Sequence, residues 1–287
     1  MRRLIVNADD FGLTLGVNRA IAQANRDGIV TSATVMANSH AFQEAVEVAK
    51  SQPELKTGCH VVLIDGEPLT RGAATLTNNS ARFRSSLKEF ASAAVRKKIS
   101  SDEIQQEAEA QICKLQAAGL NVTHVDSHKH THMFPHVLRP VLRAARTCGV
   151  RAVRNPFEPW RCWPKSVVLG NSAMWLRAAG VGCFTMFATA FQRAIRDENM
   201  LTTDGTVGIV ATGKLDARLL LSMLETLPEG TWELVCHPGY ADAELQAAGT
   251  RLVQSREVEL QALISPEVRN LITRRGIELI SYSDLCS

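Results

Sequence analysis

Short apolar runs rich in β-branched residues alternate along the chain with longer segments of helical spacing. Leu4-Ile5-Val6 opens the series as a strand that stops on Asn7-Ala8-Asp9-Asp10-Phe11-Gly12. From Gly16 to Asp27, Val17, Ala20, Ile21 and Ala24 share one face, which predicts an amphipathic helix ended by Gly28. Thr31 to Met36 predicts a second strand, Ala41 to Lys50 a helix, and Thr57 to Leu63 a third strand. A turn-rich loop from Asp65 to Ser80 leads to a helix over Ser101 to Ala118. Ser101 is read as its cap, with Ile104, Ala108, Ile112 and Leu115 on the apolar side. Leu120 to Ser127 reads as a strand, Val137 to Cys148 as a helix and Val150 to Val153 as a short strand. Near the end, a helix from Thr250 to Leu263 separates strands at Glu233 to Cys236 and Ile277 to Ser281.

Repeated strand–helix units predict parallel strands with helices outside, in an open sheet or a closed barrel. Several strands end in Asp or His, and a barrel gathers such residues at its carboxyl face. The expected fold is therefore α/β, an irregular (β/α) TIM-like barrel forming a single domain over residues 1–287. Asn155 to Asn199 breaks the alternation with Trp160, Trp163 and Trp175 and little charge. It reads either as a Trp-rich insertion near the mouth of the site or as a helical pair closing the barrel. No solenoid repeat and no Gly-x-Gly-x-x-Gly loop is present, which argues against dinucleotide or nucleoside-triphosphate chemistry.

Composition narrows the function classes. A formal net charge of +3 and the lack of a basic tract interleaved with aromatics argue against a nucleic-acid partner. Arg96-Lys97-Lys98 reads as a solvated helix end. Seven cysteines without a Cys-x-x-Cys pair fit a reducing compartment better than disulfides or a structural zinc site. The first residues lack the features of a signal peptide, and the longest apolar region, Ala178 to Phe191, is too short to span a membrane. These features predict a cytoplasmic protein without a transmembrane segment.

The candidate chemistry lies where strands end. Adjacent acids at the end of a buried strand repel and lose hydration, so Asp9 and Asp10 need a compensating charge, for which a metal ion is suited. Their side chains are expected to diverge, one toward a metal and one toward substrate. Helix capping would account for only one of them. His124, Asp126, His128, His130 and His132 occupy alternate positions, which share a face while the chain stays extended. His128, near the strand end, is the best-placed ligand of this run, and His124 lies deeper as a core histidine. A helical pair of His128 and His132 is the second reading. Gly58 beside His60 permits close approach of backbone or ligand. The turn Pro238-Gly239 exposes His237 at a strand end, where it suits a general acid.

Four motifs, Asn-Ala-Asp-Asp-Phe-Gly at 7–12, Gly-Cys-His at 58–60, Thr-His-Val-Asp-Ser-His at 123–128 and Cys-His-Pro-Gly at 236–239, together resemble the YdjC-like carbohydrate deacetylase family. That family includes chitooligosaccharide deacetylases and hopanoid-biosynthesis-associated deacetylases. The resemblance runs from Arg3 to about Asp284, and Ser255-Arg256-Glu257 also looks like these proteins. It implies one divalent metal, zinc or magnesium, held by Asp10, His60 and His128, with Asp9 as general base and His237 as acid. The implied substrate is an N-acetylated sugar or glycolipid, and the products are acetate and an amino sugar. The stretch from Val153 to Trp160 resembles the hopanoid-associated branch. A homodimer is compatible with the sequence. A catalytically silent, metal-dependent sugar-binding protein is the alternative, and phosphate-ester or glycoside hydrolysis is disfavoured by the lack of further well-placed carboxylates.

Overall fold

The computed structural model describes residues 1–78, 80–163, 178–179, 182 and 184–285. At its centre is β1 (Arg2–Phe11), almost wholly buried. Along one edge it pairs in parallel with β7 (Gly230–Cys236). On the other edge, its first half pairs with β8 (Ile277–Ile280) and its second half with β2 (Ser32–Val35). The sheet continues from β2 through β3 (Lys56–Val61) and β4 (Val122–Ser127) to β5 (Ala152–Val153), and from β7 to β6 (Gly205–Val207). Every pairing is parallel, as expected when helices cover the strands.

The sheet curls until its end strands approach each other. A parallel bridge joins Ala152 to Leu201, and the Val153 amide donates to the Leu201 carbonyl at 2.9 Å. The Thr206 amide at the start of β6 likewise reaches the Phe157 carbonyl at 3.1 Å. All strands thus direct their carboxyl ends to one rim.

The named helices among the described residues are α1 (Leu15–Arg26), α2 (Phe42–Ser51), α3 (Leu87–Val95), α4 (Ser101–Ala117) and α5 (Pro135–Thr147). They continue with α6 (Ala188–Asp197), α7 (Ala217–Glu225), α8 (Ala243–Ala247), α9 (Gln254–Leu263) and α10 (Pro266–Arg274). Thr14 caps α1, its side chain accepting from the Val17 amide. Ser100, rather than Ser101, caps α4, because its hydroxyl is the one placed to accept from the Glu103 amide. No element is expected from sequence at α3, α7, α8, α10 or β6, although α7 and α10 bury apolar residues at helical spacing. Two of these, α8 and β6, are too short to show a period, and α3 buries only Phe90 and Ala94.

The long loop after β3 is docked onto α4. Gln111 bonds both backbone groups of Val62, and the buried Glu107 accepts from the amides of Leu69 and Thr70. Glu103 accepts from those of Thr75 and Leu76. Acids on a helix here replace the ladder that a loop lacks.

The Trp-rich segment is divided. Asn155 to Glu158 is core: Asn155 bonds the Thr203 carbonyl, and the Phe157 ring packs edge-on to Phe191 of α6 at 5.6 Å. Trp160 is exposed, and Trp175 and part of the apolar region from Ala178 to Phe191 lie outside the described residues. No helix among the described residues is long and apolar enough to cross a membrane.

Candidate metal centre

Asp9 and Asp10 end β1 in an irregular turn. The pairing of β1 with β2 slips between Ala8 and Phe11, Asp10 takes a φ of 64°, and Gly12 one of 101°. A bulge of this kind re-aims side chains that strict alternation would send to opposite faces. Both acids are buried, and each lies in a cluster that includes His60. Asp9 faces Arg154, whereas Asp10 faces His128 and Arg256, with His60 common to both groups.

His60 lies near the end of β3, and His128 directly follows β4. Asp10 Oδ1 lies 3.5 Å from His60 Nε2 and 3.2 Å from His128 Nδ1, and the two ring nitrogens are 3.4 Å apart. Tetrahedral ligands at about 2.0–2.1 Å from an ion stand roughly 3.4 Å from one another. Two imidazoles and a carboxylate spaced this way fit a divalent cation. A second group, Asp9, His60 and Asp126, is also close enough. Its acids are already engaged, however, since Arg154 holds both oxygens of Asp9 at 2.8 and 2.6 Å and Asp126 Oδ2 at 2.7 Å.

Neighbouring groups orient the ligands. Asp126 Oδ1 lies 2.7 Å from His60 Nδ1, which fixes the proton there and leaves Nε2 with a lone pair facing Asp10. Burial disfavours the charged His60 ring, yet Asp126 outweighs it and raises the pKa. For His128 burial again opposes, while hydrogen bonding to Asp10 and Asp65 lifts the pKa to about 9. Asp10 is pushed up by burial but held well below the usual carboxylate range by Arg256, whose Nη2 is 2.5 Å from Oδ2.

His237 follows β7, with Nε2 3.9 Å from Asp9 Oδ2. Its amide donates to Glu259 Oε2 at 2.7 Å, and burial lowers the ring to about 4, so it is neutral near pH 7. Asp9 is ionised: burial raises its pKa, and the Arg154 guanidinium more than offsets this.

His124 and His132 support the fold. His124 Nε2 meets Asn7 Oδ1 at 3.1 Å, and its ring stacks on Tyr282 at 3.8 Å, the core role expected of it. The extended run ends at Ser127, because Lys129 and His130 turn to φ values of 54° and 53°. His132 accepts from Ser127 Oγ at 2.6 Å and lies 3.2 Å from the Arg154 carbonyl. Both its nitrogens are thereby used, so the helical His128–His132 pair is not formed.

A family model described as YdjC-like protein matches residues 3–274. The chain belongs to the YdjC-like family. Among curated relatives, a carbohydrate deacetylase of Brevibacillus brevis is 34% identical over 99% of both chains. A carbohydrate deacetylase of Vibrio parahaemolyticus serotype O3:K6 is 31% identical, over 99% of this chain and 97% of that one. A crystal structure from Enterococcus faecalis V583, of a protein provisionally named for cellobiose-phosphate cleavage, superposes with a TM-score of 0.78. It is 26% identical and covers 99% of this chain and 98% of that chain.

In this YdjC-like chain the sequence motifs locate the ligand-capable groups but not what holds them. Arg154 is fully buried among Asp9, Asp126 and Glu233, and Thr34 Oγ1 lies within 3.2 Å of Asn7, His60 and Asp126. A lone Arg directly after a short apolar strand was the available signal for the first. Thr34, in a β-branched run, carries no such signal. Arg256 stands in Ser255-Arg256-Glu257, where only proximity to Asp10 reveals its use.

Proposed function

We propose that Asp10, His60 and His128 hold one divalent cation and that the protein hydrolyses the N-acetyl group of an amino sugar, releasing acetate. The carrying observation is the 3.2–3.5 Å convergence of the three donors beside the Asp9–His237 pair. The carbohydrate deacetylase names of the relatives supply the substrate class. The curled sheet, with its end strands bridged, supports an irregular (β/α) barrel whose carboxyl rim carries the site.

Zinc suits the donor set best, and magnesium is the alternative. When bound, the cation would polarise the acetamide carbonyl and acidify a water. Asp9, fixed by Arg154 as an ionised acceptor, would take the proton of the attacking water. Its pKa is kept low, so it accepts that proton only as the water is activated. The 3.9 Å spacing from Asp9 to His237 lets the proton reach the neutral imidazole and leave on the departing amine, which is too basic to depart unprotonated.

A protein that only binds sugar needs neither a fixed carboxylate base nor a facing imidazole, so the arrangement favours an enzyme. Trp160 and Met186 are exposed apolar side chains, and such surface would be available to the lipid part of a glycolipid such as a hopanoid-linked sugar. Purified protein should carry about one equivalent of metal and release acetate from N-acetylated sugars. Absence of acetate from chitobiose, N-acetylglucosamine and glycolipid substrates alike, with metal present, would remove this reading. Turnover of chitobiose equal to or better than that of the glycolipid would remove the lipid branch alone.

A further inference from the structure

One charged pair touches the ligand cluster from its open side. Asp65, in the loop between β3 and α3, has Oδ2 2.5 Å from Lys129 Nζ and 3.8 Å from His128 Nε2. Asp65 and Lys129 are part-exposed, at 39% and 36%, against 19% for His128 and 5% for Asp10. Both also sit in left-handed backbone, with φ values of 59° and 54°. That conformation is strained for a non-glycine residue and persists only where the surroundings impose it. Here the loop is tied to α4 through Gln111, Glu107 and Glu103, and the Asp65 amide donates to the Arg84 carbonyl at 3.0 Å.

The two metal-capable histidines present opposite nitrogens inward. His60 turns Nε2 toward Asp10 and places Nδ1 on Asp126, whereas His128 turns Nδ1 toward Asp10 and leaves Nε2 facing Asp65. A metal-binding imidazole that donates its other N–H to a carboxylate is fixed in tautomer and orientation and is more basic.

We propose that Asp65 is the positioning residue of His128, the counterpart of Asp126 for His60, and that it ties the long β3–α3 loop to cation binding. The inference rests on the cation site formed by Asp10, His60 and His128. At 3.8 Å the contact is ionic, and a shift of about 1 Å closes it to a hydrogen bond from Nε2–H. Lys129 holds the carboxylate in place, and its positive charge works against the cation. Asp65 contributes through His128 and not as a ligand.

The test is a chelator-buffered zinc titration of the wild type, Asp65→Gly, Asp65→Asn, Lys129→Met and an Asp10→Ala control. Glycine suits the left-handed backbone, so Asp65→Gly removes the carboxylate without adding strain. Asp65→Gly should weaken zinc binding about 10- to 100-fold. Asp65→Asn, which keeps an acceptor oxygen, should fall between it and the wild type. Lys129→Met should bind zinc at least as tightly as the wild type, and metal-free Asp65→Gly should melt no lower than the wild type. Zinc affinity of Asp65→Gly within about twofold of the wild type, while Asp10→Ala loses binding, would overturn the inference and leave the cation site standing. Equal affinity in Asp10→Ala and the wild type would overturn both.

Discussion

At the residue scale, the adjacent acids divide their work by their partners. Asp9 is held through both oxygens by Arg154, whereas Asp10 shares one oxygen with two imidazoles and the other with Arg256. Asp9→Asn keeps the shape but cannot accept a proton, so turnover should fall by about 10²- to 10⁴-fold with metal content unchanged. Acetate release and elemental analysis on the same preparation check this. Loss of the metal instead would show that the two acids have exchanged roles. Burial gives another residue a titration of its own. Glu158 accepts from the amides of Gly208 and Val210, yet desolvation raises its pKa from 4.5 to about 7. The folded state therefore binds this proton more tightly than the unfolded state, and stability falls as pH rises from about 4.5 toward about 7. The shift corresponds to up to about 3 kcal/mol. Glu158→Gln cannot ionise, so its stability deficit in urea unfolding should be smaller near pH 8 than near pH 5.

At the element scale, close contacts between strands position the histidines. A Cβ on Gly58 would lie 2.5 Å from the His124 ring, which is wedged between Asn7 and Tyr282. Sequence reading expected Gly58 to admit a backbone or ligand, and it admits a buried imidazole instead. Gly58→Ala should displace β3 or His124, lowering stability by about 1–3 kcal/mol and disturbing His60 two residues on. Chemical denaturation measures the first effect and zinc affinity the second. The β3–α3 loop offers a parallel case. Glu107→Ala leaves the amides of Leu69 and Thr70 without their acceptor and should cost about 2–4 kcal/mol, with earlier proteolysis in that loop.

At the scale of the whole molecule, the sheet is organised around buried charge. Arg154, which follows β5, meets Asp9 of β1, Asp126 of β4 and Glu233 of β7. Burial raises the Glu233 pKa despite Arg154, and Tyr282 donates to its second oxygen at 2.5 Å. One guanidinium thus ties together strands from across the curled sheet. Arg154→Met would leave these acids unpaired and should destabilise the fold by about 3–5 kcal/mol, read from the urea midpoint. Such a loss would also remove activity through Asp9, so stability must be measured alongside turnover.

The alternation of apolar strands and amphipathic helices, the ends of β1, β3, β4 and β7, and the chemical types gathered there were legible along the chain. They depend on side-chain period and on motifs a few residues long, both of which are local properties. The separate partners that Asp9 and Asp10 take, the ring nitrogen each histidine presents, and the gathering of Asp126, Glu233 and Asp9 around Arg154 were decided only by tertiary structure. Parallel pairing brings His60 beside Asp126, and the curl of the sheet carries Arg154 to Asp9, 145 positions away in the chain. A buried charge is stable only beside its complement, and no pattern along the chain records which distant residue provides it.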